Sequence, residues 1–193
     1  MKANKKIKVA VLAVQGAFIE HEKMLTELGA ECIELRKKED LEQEYDAIVL
    51  PGGESTVQGK LLKELGMFDK IKKQISDGMP VLATCAGLIL LAKELSNDAK
   101  SYFKTLPVRV KRNAYGRQLG SFFIEEDIKG LGKYPMEFIR APYIEKADDN
   151  VDVLAKVDDN IVAVQYGNQI GLAFHPELTN DNRIHSKFLS LVK

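Results

Sequence analysis

One cysteine lies in residues 81–88, where an apolar run gives way to apolar residues at helical spacing. This context predicts that Cys85 stands on a sharp strand-to-helix turn, with its side chain exposed at the carboxyl end of the strand. The helix N-terminus behind it favours the thiolate form of a cysteine, and the Ala86 amide could donate to an oxyanion. Free cysteines are also among the most buried residues, so this segment alone leaves a packing role for Cys85 open.

A histidine and a glutamate follow a second apolar strand, in the segment Phe174-His175-Pro176-Glu177. Because His175 comes after the strand, we expect it at a sheet edge and not on a core face. Glu177 is close enough in sequence to accept a hydrogen bond from the imidazole. A cysteine nucleophile needs such a base, and the base needs an orienting acceptor. A surface histidine beside a solvated glutamate is the alternative, and only the combination with Cys85 favours a triad.

The glycine pair Gly52-Gly53 joins a predicted strand end to a helix start, in Pro51-Gly52-Gly53-Glu54-Ser55-Thr56. Paired glycines let backbone amides approach a ligand closely. Strand carboxyl ends converge on one crevice in a doubly wound sheet, so this loop and Cys85 are expected to share it. A plain turn capped by Ser55 or Thr56 remains open. The Gly-Lys-Ser/Thr ending of a phosphate loop is missing.

The elements that must position these residues alternate in type over the first half of the chain. We predict strands at residues 7–14, 31–35, 45–50 and 80–84, and helices at residues 18–28, 55–65, 68–76 and 86–95. This alternation is typical of a parallel sheet with helices on both faces. The second half predicts short strands at residues 107–110, 120–124, 136–141, 151–156, 161–166 and 170–174, and a last helix at residues 180–191 capped by Asn180 or Asp181.

The composition of the chain limits which classes of partner and cellular location are expected. The 193 residues include 28 Lys plus Arg and 28 Asp plus Glu, so the formal net charge is zero and nothing favours nucleic acid or an anionic membrane as partner. No apolar stretch approaches the roughly 20 residues that span a bilayer, and no signal peptide is recognisable. We expect a cytoplasmic protein with Cys32 and Cys85 as free thiols. No metal-ligand spacing or cofactor motif is present.

Taken together, the three segments resemble the class I glutamine amidotransferases, which carry a Cys-His-Glu triad on a flavodoxin-like, three-layer α/β sandwich. Further motifs are similar to those of the glutaminase subunits of pyridoxal 5′-phosphate synthases. These motifs are AVQGAF with EH at residues 13–21, PGGEST at 51–56, TCAGLILLAK at 84–93, RNAYGRQ at 112–118, FIRAP at 138–142 and FHPELT at 174–179. The resemblance covers nearly the whole chain and implies one such domain over residues 1–193.

The resemblance implies a role for each matching residue. Cys85 would attack the carboxamide of L-glutamine, His175 would accept and return the proton, and Glu177 would orient His175. The implied glutamine-binding residues are Gly53, Glu54, Ser55, Arg112, Ile139 and Arg140. An arginine suits the substrate α-carboxylate because its guanidinium donates in pairs. The amides of Gly52, Gly53 and Ala86 are the oxyanion candidates.

The resemblance also implies a partner, a (β/α)₈-barrel pyridoxal 5′-phosphate synthase subunit in a large hetero-oligomer, which would receive the ammonia for vitamin B6 biosynthesis. An amidotransferase subunit of another pathway would share the triad without needing the motif at residues 112–118. Two further alternatives are a DJ-1/PfpI-like protein and a non-catalytic scaffold. The His175-Pro176-Glu177 segment argues against the first, and the complete triad argues against the second.

The sequence also predicts the structural setting or role of five further residues. Ala83 stands where the superfamily turn usually has glycine, and we expect it in strand geometry, where its methyl group costs little. Gln15 and His21 belong to a family-specific segment and are interface candidates, and Gln15 could also reach the oxyanion loop. His185 is expected to be a surface or capping group. Cys32 is expected to be a packing residue.

Overall fold

The structure, a computed structural model, describes residues 6–114 and 120–193. Its helices are α1 (Phe18–Glu27), α2 (Ser55–Glu64), α3 (Phe68–Ser76), α4 (Ala86–Leu91) and α5 (Arg183–Leu189), with 3-10 helices at Lys38–Glu42 and Pro176–Leu178. The strands are β1 (Lys8–Leu12), β2 (Glu31–Leu35), β3 (Ala47–Leu50), β4 (Val81–Thr84), β5 (Ala92–Leu95), β6 (Leu106–Lys111), β7 (Ser121–Ile128), β8 (Gly132–Ile139), β9 (Tyr143–Ala147), β10 (Asp152–Val157), β11 (Asn160–Tyr166) and β12 (Gln169–Leu172).

The main sheet has the strand order β2-β1-β3-β4-β12-β11-β9-β6-β5, with β10 paired to β11. Strands β2, β1, β3, β4 and β12 run parallel to one another. Strands β3 and β4 are buried along their full length, since helices cover parallel sheets on both faces. Because β3 and β4 consist of β-branched residues, leucine and other apolar or small residues, they can be buried on both faces and form the centre of the core.

The other half of the sheet is mainly antiparallel. Strand β11 pairs antiparallel with β12, β9 and β10, and β6 pairs antiparallel with β9. A separate hairpin is formed by β7 and β8. This arrangement confirms the predicted α/β fold with a mostly parallel sheet and additional antiparallel strands in the second half.

The structure departs from the prediction at two predicted helices and at one strand that the sequence did not predict. The helix predicted at residues 86–95 ends at Leu91, and β5 follows it at once and pairs with β6. Strand β9 was not predicted, although it joins β6 to β11. Helix α5 begins only at Arg183; its N-cap Asn182 makes no side-chain capping hydrogen bond, but Asp181 Oδ1 accepts from the Arg183 amide at 3.1 Å. Pairing partners outside the segment decide β5 and β9, and local propensity does not contain that information.

The register of three strands brings the candidate residues to one edge of the sheet. In this register Ala83 lies beside both Leu50 and Gly171. The segments that follow β3, β4 and β12 therefore leave the sheet side by side, as expected at the carboxyl ends of parallel strands. None of the helices in the described part of the chain is long and apolar enough to cross a membrane.

Candidate active site

Cys85 occupies the strained turn between β4 and α4. It is the N-cap of α4 with φ +47° and ψ −100°, a conformation that costs a non-glycine residue free energy. Its amide donates to the Leu172 carbonyl at 2.8 Å, which anchors the turn to β12. The side chain is 7% exposed, less than the sequence predicted, but it lines a cavity and its Sγ lies 4.0 Å from the Ile139 carbonyl oxygen.

The residues around Cys85 explain how the turn is tolerated. Ala83 is a fully buried residue of β4 and is not among the described residues with positive φ, so the prediction of strand geometry is confirmed. Gly87 is the position that requires glycine, because a Cβ atom there would collide with the Leu50 carbonyl. The close approach of α4 to β3 thus depends on Gly87 and not on a glycine at position 83.

His175 and Glu177 form a buried pair beside the cysteine. His175 follows β12, and its amide donates to the Glu137 carbonyl at 2.8 Å. Its Nδ1 atom lies 2.7 Å from Glu177 Oε1. Glu177 sits in the 3-10 helix Pro176–Leu178, and that tight turn brings its carboxylate back to the ring. Cys85 lines the same cavity as His175 and lies close enough to act on the pKa of its ring.

Both members of this pair are shifted towards their charged forms. Burial works to lower the pKa of His175, but the neighbouring Cys85 and Glu177 side chains outweigh it and raise the pKa to about 10. Burial works to raise the pKa of Glu177, but the facing rings of His21 and His175 hold it below its usual range. His175 therefore carries its proton at neutral pH and is balanced by a buried carboxylate.

The Gly52-Gly53 loop packs directly against the histidine. A Cβ atom on Gly52 would collide with the His175 ring, and the Gly52 carbonyl accepts from the Ala17 amide at 3.1 Å. Gln15 Oε1 accepts from the Glu54 amide at 2.8 Å, so Gln15 does reach this loop. Among the oxyanion candidates, Gly52 and Gly53 line the cavity with Cys85, and Ala86 is the buried first residue of α4.

The cavity beside Cys85 has a volume of about 900 Å³. All of the residues predicted to bind glutamine line it, namely Gly53, Glu54, Ser55, Arg112, Ile139 and Arg140. Arg112 is held by two acidic side chains, with Nη2 at 3.2 Å from Glu54 Oε1 and Nη1 at 2.8 Å from Asp98 Oδ2. Sequence reasoning missed Asp98, which lies in a polar loop with no distinguishing pattern. Residues 115–118 of the predicted motif at residues 112–118 lie outside the described residues.

Both histidines lie in the interior. His185 is fully buried, so its prediction as a surface group is wrong; His21 is also fully buried, and its side chain is not exposed at the surface. His21 Nδ1 lies 2.9 Å from His185 Nε2, and His21 Nε2 lies 3.2 Å from Thr84 Oγ1. Helical spacing contained the missed signal, because His21 precedes the buried Leu25 by four residues on α1. Gln15 remains an interface prediction.

The remaining candidates carry no chemistry in the structure. Cys32 is a free, half-buried thiol on β2, and burial raises its pKa. Its predicted packing role fits its contacts with the core. Within residues 6–114 and 120–193, no group of three or more His, Cys, Asp or Glu residues is arranged to hold a metal ion.

Comparison with known proteins decides the family. The family model described as "SNO glutamine amidotransferase family" matches residues 11–193. The chain belongs to this family. The SNO-family chain is 64% identical over 186 residues to a Desulfitobacterium hafniense protein named pyridoxal 5′-phosphate synthase subunit PdxT, and the match covers 96% of this chain and 94% of the relative. A Haemophilus influenzae protein with the same name is 52% identical over 190 residues, covering 97% and 99% of the two chains.

Solved structures agree with this assignment. A protein described as a glutamine amidotransferase superposes on the SNO-family chain with a TM-score of 0.90 and 44% identity, over 95% of this chain and 98% of the other. The structure of PurLQS from Thermotoga maritima superposes with a TM-score of 0.70, covering 97% of this chain and 100% of that one, but its identity of 18% shows only a shared fold. The chain is thus an enzyme of the glutamine amidotransferase type.

Proposed function

We propose that the chain is the glutaminase subunit of a pyridoxal 5′-phosphate synthase, acting as a single domain through Cys85, His175 and Glu177. The observation that carries this proposal is the placement of a buried His175–Glu177 pair, 2.7 Å apart, next to a strained cysteine that lines a cavity. The names of the relatives at 64% and 52% identity support the synthase assignment over an amidotransferase of another pathway.

The reaction follows from the charge state of His175. Because the pKa of His175 is raised to about 10, we propose that His175 holds the proton of the catalytic pair while the Cys85 sulfur attacks as a thiolate. The thiolate would attack the carboxamide carbon of L-glutamine and give a tetrahedral oxyanion. Its oxygen would be stabilised by backbone amides near Gly52, Gly53 and Ala86. Collapse of this intermediate, with the proton moving from His175 to the departing nitrogen, would release ammonia and leave a γ-glutamyl thioester.

The second half of the reaction uses the same groups in reverse. His175, now neutral, would take a proton from water as the water oxygen attacks the thioester. Collapse then breaks the carbon–sulfur bond and returns the thiolate–imidazolium pair with L-glutamate as product. Glu177 stays ionised throughout and holds the Nδ1 edge of the ring, so that the Nε2 edge serves the reacting atoms.

Charged groups in the cavity suit the amino-acid end of glutamine. Arg112 could pair with the α-carboxylate, and Glu54 could pair with the α-ammonium group. These two side chains are already in contact at 3.2 Å, so a zwitterion would insert its own charges between them. Ser55, Ile139 and Arg140 would complete the wall of the site. Free ammonia would be lost to water, so we propose that a (β/α)₈-barrel synthase subunit receives it through a channel.

The test is ammonia release from L-glutamine, measured with the barrel subunit present. The wild-type chain should release ammonia and L-glutamate in equal amounts, whereas Cys85→Ala should release neither. Cys32→Ala is the matched control, since that thiol lies on β2 away from the cavity, and it should retain wild-type turnover. Turnover by Cys85→Ala would exclude the thioester route. A wild-type chain that releases no ammonia with this barrel subunit would contradict the synthase assignment.

A further inference from the structure

A buried chain of polar side chains continues beyond Glu177. His21 Nε2 lies 3.3 Å from Glu177 Oε2, the carboxylate oxygen that does not face His175. The same nitrogen lies 3.2 Å from Thr84 Oγ1, the residue before the cysteine. On its far edge His21 Nδ1 lies 2.9 Å from His185 Nε2. This series of side-chain contacts therefore links helices α5 and α1 to Glu177 and to Thr84.

The ring nitrogens of His21 and His185 that carry hydrogen can be assigned from the neighbouring charges and from the hydrogen bonds that each nitrogen makes. The edge of His21 that faces Glu177 should carry the N–H, because a lone pair there would face a carboxylate. Nδ1 of His21 must then accept, so His185 Nε2 donates to it. No described residue pairs with His185 Nδ1. This assignment leaves that atom as an unpaired acceptor, which costs less than an unpaired buried N–H.

The contact between His21 and Glu177 is electrostatic in character. The N–H of His21 points more towards Thr84 than towards Glu177, because Glu177 Oε2 has no aligned hydrogen bond despite the 3.3 Å distance. Burial lowers the pKa of His21, against the charge of Glu177, and His175 and Glu20 are the other charged groups that act on it. His21 is thus a neutral ring whose Nε2–H is shared mainly with Thr84 and lies close to the buried Glu177 carboxylate without a hydrogen bond to it.

This arrangement matters because Glu177 is removed from water. A carboxylate that is paired at only one oxygen in a buried site has an unsatisfied charge and can rotate about its terminal bond. His175 pairs with Oε1, and His21 faces Oε2. Each of the two carboxylate oxygens therefore faces a different histidine ring.

We infer that His21 is a positioning residue, which fixes the Glu177 carboxylate in the orientation that serves His175, and that His185 fixes which edge of the His21 ring carries the proton. The inference rests on the proposed role of Glu177 in glutamine hydrolysis. His21 touches no reacting atom and acts only through Glu177.

The test compares two substitutions at one position in the full chain. His21→Gln keeps an N–H donor near the position of Nε2, whereas His21→Met has a similar size and no donor. With the barrel subunit present, His21→Met should lower kcat by roughly tenfold or more at a nearly unchanged KM for glutamine. His21→Gln should recover most of this loss. Turnover is expressed per active site, counted by labelling Cys85 with a glutamine-analogue inhibitor.

A second readout needs neither the partner nor glutamine. The rate of alkylation of Cys85 by iodoacetamide is followed against pH in the Cys32→Ala background. A loosened Glu177 supports a protonated His175 less well, so the pH midpoint for Cys85 alkylation should move upward by about one unit in His21→Met. It should stay at the wild-type position in His21→Gln. Misfolding alone would lower the reactive fraction without moving the midpoint.

The outcomes separate this inference from the proposed function. A His21→Met chain with the wild-type kcat and midpoint overturns the inference, as do two variants that lose activity equally at an unchanged midpoint. A wild-type chain that does not hydrolyse glutamine contradicts the proposed function, and the alkylation comparison still decides the role of His21. Should His21→Met fail to fold, His185→Met and His185→Gln are compared in the same way, with smaller shifts in the same direction expected.

Discussion

Nδ1 of His175 lies 2.7 Å from Oε1 of Glu177, and both side chains are buried. The short 3-10 turn at Pro176–Leu178 makes this contact possible between residues so near in sequence. Because both side chains are buried, their charged forms depend on each other and on two neighbours, Cys85 and His21.

The substitution Glu177→Gln removes the charge of the side chain but keeps its size. It therefore tests the effect of the charge on His175 separately from the packing of the side chain. Glu177→Gln should lower kcat for glutamine roughly a hundredfold or more, because the amide neither stabilises the imidazolium nor selects the ring tautomer. The pKa of His175 should fall towards its ordinary value, which an NMR titration of the ring measures directly. An unchanged His175 titration in a folded Glu177→Gln protein would contradict the assigned pair.

Gly52 should tolerate no side chain. A Cβ atom at this position would collide with the His175 ring, so Gly52→Ala should displace the ring or the loop and lower kcat by tenfold or more. Gly78→Ala is the control: it has φ +100° and open space around its Cβ position, so it should cost about 1 kcal/mol of stability at unchanged turnover. Equal turnover in both variants would show that the loop moves freely.

Arg112 should act on substrate affinity. Arg112→Gln should raise KM for glutamine roughly ten- to a hundredfold with a smaller effect on kcat, since hydrogen bonds between charged groups contribute about 1.5–3 kcal/mol. Arg109→Gln provides the comparison, because Arg109 pairs with the exposed Glu94 at 3.3 Å and lines no part of the cavity around Cys85. Matched KM values for the two variants would remove Arg112 from the proposed site.

Ala83 should be replaceable. In strand geometry a glycine brings only extra freedom in the unfolded chain and the loss of one buried methyl group. Ala83→Gly should therefore lower stability by about 1 kcal/mol and leave kcat within about twofold of wild type. A large gain in activity would mean that alanine strains the turn after all.

The buried histidines should make the protein acid-labile. Burial lowers the pKa of His185 to about 3, and it also lowers the pKa of His21. The unfolded chain binds these protons near the ordinary histidine pKa of 6.5, so it gains protons first as the pH falls. Their contribution to stability is complete above pH 6.5 and decreases as the pH drops towards 3. His185 alone should account for roughly 2 kcal/mol between pH 7 and pH 5.

Urea unfolding at these two pH values measures this loss. His185→Gln cannot titrate, so its stability should depend less on pH over the same interval. The contribution of His175 has the opposite sign: its raised pKa stabilises the fold fully below 6.5 and is lost as the pH rises through about 10. The lowered pKa of Glu177 stabilises the fold fully above pH 4.5, and this contribution is lost as the pH falls below that value. An equal pH dependence in wild type and His185→Gln would contradict the neutral state of the buried ring.

Local patterns in the sequence determined a large part of this protein. The boundaries of β2 and α3 follow from apolar spacing and the glycines after the helices, because these signals lie within the segment itself. The strand-to-helix turn at Cys85 and the His175-Pro176-Glu177 segment were recognisable for the same reason. Where pairing with a distant segment decides the structure, as in β5 and β9, the sequence alone was insufficient.

Only the tertiary structure decided which side chains meet. The register of β4 between β3 and β12 places Cys85 beside His175, a contact between residues far apart in the chain. The packing of α1 and α5 turns His21 and His185 inward against Glu177, whereas the sequence suggested exposed roles for both. The residue type alone does not show whether a histidine is buried or exposed. Its role depends on the charges that the fold places around it, and these come from elements that no local pattern connects.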